Sequence, residues 1–243
     1  MQVVNIPQQK SYKMTPLKSK VYIIVPAYNE GSVVVETIRP LLTLGYHIVV
    51  VDDGSKDDTY EKACQLPVCV LQHAINLGQG AALKTGTDFA LQQGAAAIVH
   101  FDADGQHPPE RIHDLLAPIL NEETHVVLGS RFLNPEHSKE VPTFKKWILK
   151  LGIAFTGLTS GVWLTDTHNG LRALSPFAAS KICISEPRMA HASEIITLIG
   201  KHKLTYQEIP THIRYTKYSR QKGQSIFNAL NIVIDLLLRK VFR

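Results

Sequence analysis

Carboxylates recur at three places where a short apolar run stops. Val21–Pro26 leads into Ala27-Tyr28-Asn29-Glu30, His47–Val51 into Asp52-Asp53-Gly54-Ser55, and Ala96–Phe101 into Asp102-Ala103-Asp104-Gly105-Gln106-His107. Brought into one crevice, these acids repel one another unless something positive binds among them. A hard divalent cation with a phosphorylated ligand answers that repulsion. Mg²⁺ or Mn²⁺ takes one or two carboxylates and fills its remaining positions with water and phosphate oxygens. Asp102 and Asp104 suit a division of labour, with one carboxylate on the metal and the other on a sugar hydroxyl or a metal-bound water. A D-x-D triplet alone arises by chance in turns. Its place after an apolar run, beside two other acidic ends, makes it a candidate metal site.

Glycines mark a second segment, Asn76-Leu77-Gly78-Gln79-Gly80-Ala81-Ala82. It has neither the G-x-x-x-x-G-K-[ST] spacing of a phosphate loop, for which Lys84 comes too early, nor G-x-G-x-x-G. It reads as a tight turn that lets the backbone approach either a nucleotide or a neighbouring strand.

The elements that must position these residues alternate in type. The continuous apolar runs at Val21–Pro26, His47–Val51, Val68–Leu71, Ala96–Phe101 and His125–Leu128 read as strands buried on both faces. Helical patterns lie between them, over Gly31–Leu44, from near Asp57, over Gly80–Gln93, and from Pro108-Pro109 to Leu120. Strands alternating with helices predict βαβ crossovers and a mainly parallel α/β sheet, in which ligands sit beyond the carboxyl ends of the strands. All three acidic segments fall there.

Composition agrees with one large domain. The chain has 243 residues, 44% of them hydrophobic and 19% charged, which excludes a disordered tail, collagen or a disulfide scaffold. Cys64, Cys69 and Cys183 have no metal-ligand spacing, and their odd number argues for a reducing compartment. Residues 1–20 lack the apolar core of a signal peptide and hold four lysines without an acid. Residues 214–243 hold seven Lys and Arg against Asp235, so a net charge of +5 is carried by two basic ends on an acidic body. The expected organisation is a basic tail over 1–20, a domain over 21–213 and a basic, amphipathic segment over 214–243. Basic ends suit a membrane surface, a phosphate or nucleic acid. Apart from Tyr215 and Tyr218 they lack interleaved aromatic residues, and no groove-reading motif occurs, so nucleic acid is not expected.

Six segments in order (VPAYNE, VVVDDGSKDDT, NLGQGAALKTG, FDADGQHPPE, LGSRF and DTHNGLR) resemble the family 2 glycosyltransferases of the GT-A fold. They are most similar to the dolichyl- and polyprenyl-phosphate sugar synthases, over about Val21 to Ser225. The resemblance implies inverting transfer of a sugar from a UDP- or GDP-sugar, assisted by Mg²⁺ or Mn²⁺. It places donor contacts on Pro26, Ala27, Tyr28, Glu30, Asp52 and Asp53. Asp102, Ala103 and Asp104 would hold metal and diphosphate, with Gln106 as a further metal ligand, and Arg131 would reach the phosphates or the acceptor. Asp166 would lie on the acceptor side, with Arg172 as its ion-pair partner or as a phosphate ligand.

Arg220-Gln221-Lys222-Gly223-Gln224-Ser225-Ile226 resembles the phosphate-clamping R-x-x-G-x-S-K of that branch, with Ile226 where lysine is expected. Arg220 is the matching cation for a phosphate. A hydroxyl acceptor needs a general base, and family members of that kind carry a Glu-Asp pair where this chain reads His191-Ala192-Ser193-Glu194. An acceptor phosphate is already an anion, so the missing pair favours a polyprenyl phosphate. It leaves Glu194, Asp166 and His191 as candidate bases for the alternative, transfer to a glycan hydroxyl. A catalytically silent nucleotide-sugar-binding protein is the rival from another class. Ser225–Leu238, about 21 Å long as a helix, is too short to cross a membrane and suits either docking in its surface or burial against this domain or a second subunit, and Trp147–Leu164 suits docking on a membrane better than crossing it. The expectation is a cytoplasmic, peripherally membrane-associated enzyme, with homo-oligomer formation left open.

Overall fold

Strand formation follows the apolar runs closely. The computed structural model describes residues 2–3, 20–134, 157–158, 160–167, 169–188 and 190–213. Within them, the strands are β1 (Gln2–Val3), β2 (Val21–Ala27), β3 (His47–Asp52), β4 (Cys69–Gln72), β5 (Ala97–His100), β6 (Val126–Ser130), β7 (Arg172–Leu174) and β8 (Tyr206–Pro210). The helices are α1 (Val34–Leu42), α2 (Thr59–Cys64), α3 (Gln79–Gln92), α4 (Ile112–Leu120), α5 (Pro176–Lys181) and α6 (His191–Lys201), and a 3₁₀ turn over Pro109–Arg111 leads into α4.

One sheet runs in the order β1-β4-β3-β2-β5-β7-β6-β8. Strand β2 pairs in parallel with β3 and with β5, in register from Tyr22 opposite His47 to Ala27 opposite Asp52, and from Val21 opposite Ala97 to Ile24 opposite His100. Parallel pairing also joins β3 to β4 and β6 to β8. From β2 the chain winds one way through β3 and β4 and the other way to β5, so the order reverses at β2. The crevice beyond β2, β3 and β5 is therefore the topological switch point where open α/β sheets bind ligands.

Alternation along the strands builds two cores. Val21, Ile23 and Val25 face α1 and α4, packing on Val34, Ile38, Leu41, Ile112, Leu115 and Leu116. Ile24 of β2 joins Val49 and Val51 of β3 on the opposite face, against Leu83 of α3 and Ile195, Ile196 and Ile199 of α6. Each such side chain, fully buried, contributes roughly 1.5–3 kcal/mol, which holds the strand ends in fixed register.

Three strands depart from the sequence reading: β1, β7 and β8, the last pairing in parallel with β6. Strand β7 runs antiparallel between β5 and β6, with His100 opposite Arg172 on one side and Leu128 opposite Arg172 on the other. It has only three residues, with an arginine at its start, and carries no β-branched run to announce it. At one edge of the sheet, Gln2–Val3 of the basic tail pairs antiparallel with β4. The segment 214–243 lies outside the described residues, as does most of the Trp147–Leu164 stretch. Among the described residues no helix is long and apolar enough to cross a membrane.

Candidate active site

The loops after β2 and β3 brace one another before any ligand is considered. Asn29 holds a left-handed conformation (φ 53°), its backbone N–H donating to Ser55 Oγ (2.9 Å) while its side-chain oxygen accepts from Lys56 N (2.9 Å). Glu30 N donates to Thr59 Oγ1 (2.8 Å) and Gly31 N to Asp57 Oδ2 (3.0 Å). Ser55, Asp57 and Thr59 were given no role from the sequence, and their contacts lock the two loops together. Tyr28 stands at the mouth with about a third of its surface exposed, and Ala27, Glu30, Asp52 and Asp53 are buried.

Asp53 faces the glycine segment. Its Oδ1 accepts from Leu77 N (2.9 Å) and its Oδ2 from Gly78 N (2.6 Å), and His73 Nδ1 approaches Oδ1 at 2.7 Å. The partner of this turn is therefore a loop end and a carboxylate. Gly78 has φ +104°, and a Cβ there would lie 2.4 Å from Pro187 O. The neighbouring Asp52 is fully buried, its Oδ2 accepting from Gln72 Nε2 (3.2 Å).

The D-x-D carboxylates sit in different surroundings. Asp102 Oδ1 accepts from Gln79 Nε2 (2.8 Å), and His107 Nε2 lies 3.3 Å from Oδ2. Burial opposes its ionisation, but the hydrogen bond and charge of His107, with Arg172 and His191 nearby, hold it below the usual carboxylate range. Asp104 is pushed the other way, up to about 6, by burial and by the charge of Asp102, with Glu30 adding to the repulsion. Gln106 supports Asp104 through its backbone N (3.0 Å) and its amide nitrogen (2.8 Å), so its amide is engaged in holding the carboxylate. Ala103 is buried, and its carbonyl accepts from Thr37 Oγ1 (2.9 Å), which anchors the triplet to α1.

Among the described residues no group of three or more Asp, Glu, His or Cys forms a closed metal cage. The donor set fits a different type of site. Like charges crowd at Asp102 and Asp104 and raise Asp104, a repulsion that a divalent cation relieves. Mg²⁺ and Mn²⁺ need only one or two protein carboxylates when phosphate oxygens complete the shell.

Gly170, just before β7, brings the backbone against this pair. A Cβ built on it would lie 1.9 Å from Asp102 Oδ2. Gly170→Ala is expected to displace the Asp102 carboxylate and weaken Mn²⁺-dependent nucleotide binding about tenfold. Isothermal titration checks this, and unchanged affinity would mean that the carboxylate has room to move aside.

The acceptor-side candidates are engaged with protein. Asp166 is 3% exposed and forms a two-point ion pair with Arg131, from Nε to Oδ2 (2.6 Å) and from Nη2 to Oδ1 (2.7 Å), with Arg131 N also donating to Oδ2 (3.1 Å). Of the two roles left open for Arg172, ion-pair partner of Asp166 or phosphate ligand, the first falls to Arg131: β7 carries Arg172 to the carbonyl of Asn169 (3.0 Å), where it is buried. Glu194 accepts from Ser185 N (3.1 Å), Ser185 Oγ and Glu186 N (2.9 Å), and so holds the loop before α6. His191 Nδ1 lies 2.8 Å from Arg188 O, and burial with Arg172 nearby pushes its pKa down to about 4. Glu194→Ala is expected to lower stability by about 1–3 kcal/mol while turnover falls less than about tenfold. A hundredfold loss of kcat at unchanged Tm would instead make Glu194 a base. Arg220 lies outside the described residues.

A mixed α/β sheet with an acidic pair at its switch point is the architecture of the GT-A glycosyltransferases. Glucosyl-3-phosphoglycerate synthase of Mycobacterium tuberculosis, solved with UDP, shares the fold with a TM-score of 0.64 at 17% identity, over 91% of this chain and 80% of that one. The same enzyme solved with Mn²⁺, UDP and phosphoglyceric acid gives a TM-score of 0.61 at 18% identity, over 91% and 78%. The glycosyl transferase family 2 model matches residues 22–182, and the chain belongs to that family. It is 35% identical to the UDP-N-acetylglucosamine–dolichyl-phosphate N-acetylglucosaminyltransferase of Methanococcus voltae, covering 91% of this chain and 96% of that enzyme. To the dolichol-phosphate mannosyltransferase of Pyrococcus furiosus it is 31% identical, covering 90% of this chain and 64% of that enzyme. The chain is therefore a glycosyltransferase related to enzymes that act on dolichyl phosphate.

Proposed function

We propose that this glycosyltransferase moves a sugar, with inversion, from a UDP- or GDP-sugar to a polyprenyl phosphate at a membrane surface. The observation that carries the donor half is the Asp102–Asp104 pair at the switch point, where burial and the charge of Asp102 raise Asp104 to about 6. Tyr28, Glu30 and the braced loops after β2 and β3 would receive the nucleoside. Asp104 would hold Mg²⁺ or Mn²⁺ directly, and Asp102, already bonded to Gln79 and His107, would meet a metal-bound water or a sugar hydroxyl. When bound, the metal supplies positive charge to the diphosphate as it leaves.

Chemistry on the acceptor side supports a phosphate. A hydroxyl acceptor must lose a proton as it attacks, which requires a carboxylate or imidazole placed to take it. Asp166 is engaged by Arg131 and Glu194 by Ser185 and Glu186, and His191 is buried and neutral. A phosphate monoester already carries the attacking anion, so no side chain need take a proton. The Arg131–Asp166 pair then braces the acceptor side, and Arg220 is the cation assigned to the incoming phosphate. An acceptor panel with purified protein, Mn²⁺ and UDP- or GDP-sugars tests this by mass spectrometry. Sugar on detergent-dispersed polyprenyl phosphate is the expected result, whereas product on free glycan alone would overturn the lipid reading.

A further inference from the structure

We infer that Gln79 is a positioning residue for the metal and diphosphate site, acting through Asp102. The assignment rests on the donor reading above and deepens it. Gln79 is the first residue of α3, and its amide donates to Asp102 Oδ1 at 2.8 Å. Its backbone has little freedom to drift. Leu77 N and Gly78 N are bonded to Asp53, and Ala81 N donates to Pro187 O (3.1 Å). A Cβ on Gly80 would lie 2.1 Å from Glu186 O, so the turn is seated against the loop before α6. One short turn therefore joins the end of β3, the end of β5 and the loop that Glu194 holds. The Gln79 amide is the bond by which this turn reaches the D-x-D pair.

The direction of that bond fits the role. Asp102 Oδ1 is tied to Gln79 while Oδ2 faces His107 and the Gly170 backbone, so the carboxylate plane is set from both oxygens. Without the amide, Oδ1 loses its hydrogen bond and the carboxylate is held from the Oδ2 side alone. Groups that fix the carboxylates around a metal by hydrogen bonds typically change metal affinity about ten- to a hundredfold when removed.

The test compares nucleotide binding by wild type and Gln79→Leu with and without Mn²⁺, using UDP and GDP as probes in isothermal titration. Removal of the amide is expected to weaken Mn²⁺-dependent binding by about ten- to a hundredfold. Metal-free nucleotide affinity and Tm should stay at wild-type values, because the nucleoside contacts and the Asp53 bonds are untouched. Gln79→Met, unbranched and close in size, repeats the measurement should the leucine variant fold poorly. Equal Mn²⁺-dependent binding in wild type and variant overturns the assignment. So does an equal loss with and without metal, which would make Gln79 only a shaper of the turn. Failure of wild type itself to bind either nucleotide with Mn²⁺ would remove the donor-site reading, and this assignment with it.

Discussion

Asp104→Asn is expected to abolish sugar transfer while making the protein more stable. On the proposed reading, losing the carboxylate that would hold the metal removes several kcal/mol of charge stabilisation from the departing diphosphate, a fall in kcat of about a thousandfold or more. The same change deletes one of the like charges that crowd the crevice, where Asp104 is raised to about 6 by burial and by Asp102. Relief of about 1 kcal/mol raises Tm by roughly 2–4 °C at this chain length. Addition of Mn²⁺ and nucleotide should raise Tm of wild type and leave the variant where it is. Differential scanning calorimetry with a turnover assay separates the two effects. A variant that is both less stable and still metal-responsive would show that Asp104 is a structural acid.

Asp166→Ala produces the largest expected loss of stability. Arg131 is 8% exposed and Asp166 3%, so removing the carboxylate leaves a guanidinium buried without its counter-charge. Breaking such a pair from one side costs about 3–5 kcal/mol. The pair also tethers two distant segments, because Glu208 Oε1 of β8 accepts from Asp166 N (3.2 Å) and from Thr165 N (2.9 Å). Replacing both partners, as in Arg131→Met with Asp166→Leu, should recover most of that loss, since neither charge is then stranded. Urea denaturation of the single and double variants closes the cycle. If the double variant is as unstable as Asp166→Ala, the pair is not the stabilising unit. Restored stability without restored turnover would mark the pair as part of the acceptor side.

The clustering of acidic strand ends in the candidate site was legible because local pattern and chemistry coincide there. Val21–Ala27, His47–Asp52 and Ala97–His100 are short apolar runs with acids beyond their ends, and a parallel sheet places those ends side by side. The Asp102 and Asp104 pair needed nothing more than its register. The turn around Gly78 was left open between a nucleotide and a neighbouring strand, and its observed partners are Asp53, Asp102 and Pro187. Those contacts span 24, 23 and more than a hundred residues of chain, and no local pattern reports them. Pairing of Asp166 with Arg131 over 35 residues was hidden in the same way, with Arg172 nearer in sequence and equally suited by charge. Strands β7 and β8 escaped because Arg172–Leu174 is too short to alternate and Tyr206–Pro210 carries a glutamate and a proline within its run.

Antiparallel insertion of β7 has a consequence for how the polypeptide matures on the ribosome. Both ladders that flank Arg172–Leu174 belong to strands made earlier, β5 by residue 100 and β6 by residue 130. Until residue 174 has emerged, the nascent chain carries two bare strand edges facing an open slot, the kind of surface that invites wrong pairing. Gly170 arrives with the same segment, so the wall behind Asp102 closes only when the slot is filled. The crevice around Asp102 is thus completed late in synthesis, and the far edge of β6 stays bare until Tyr206–Pro210 has followed.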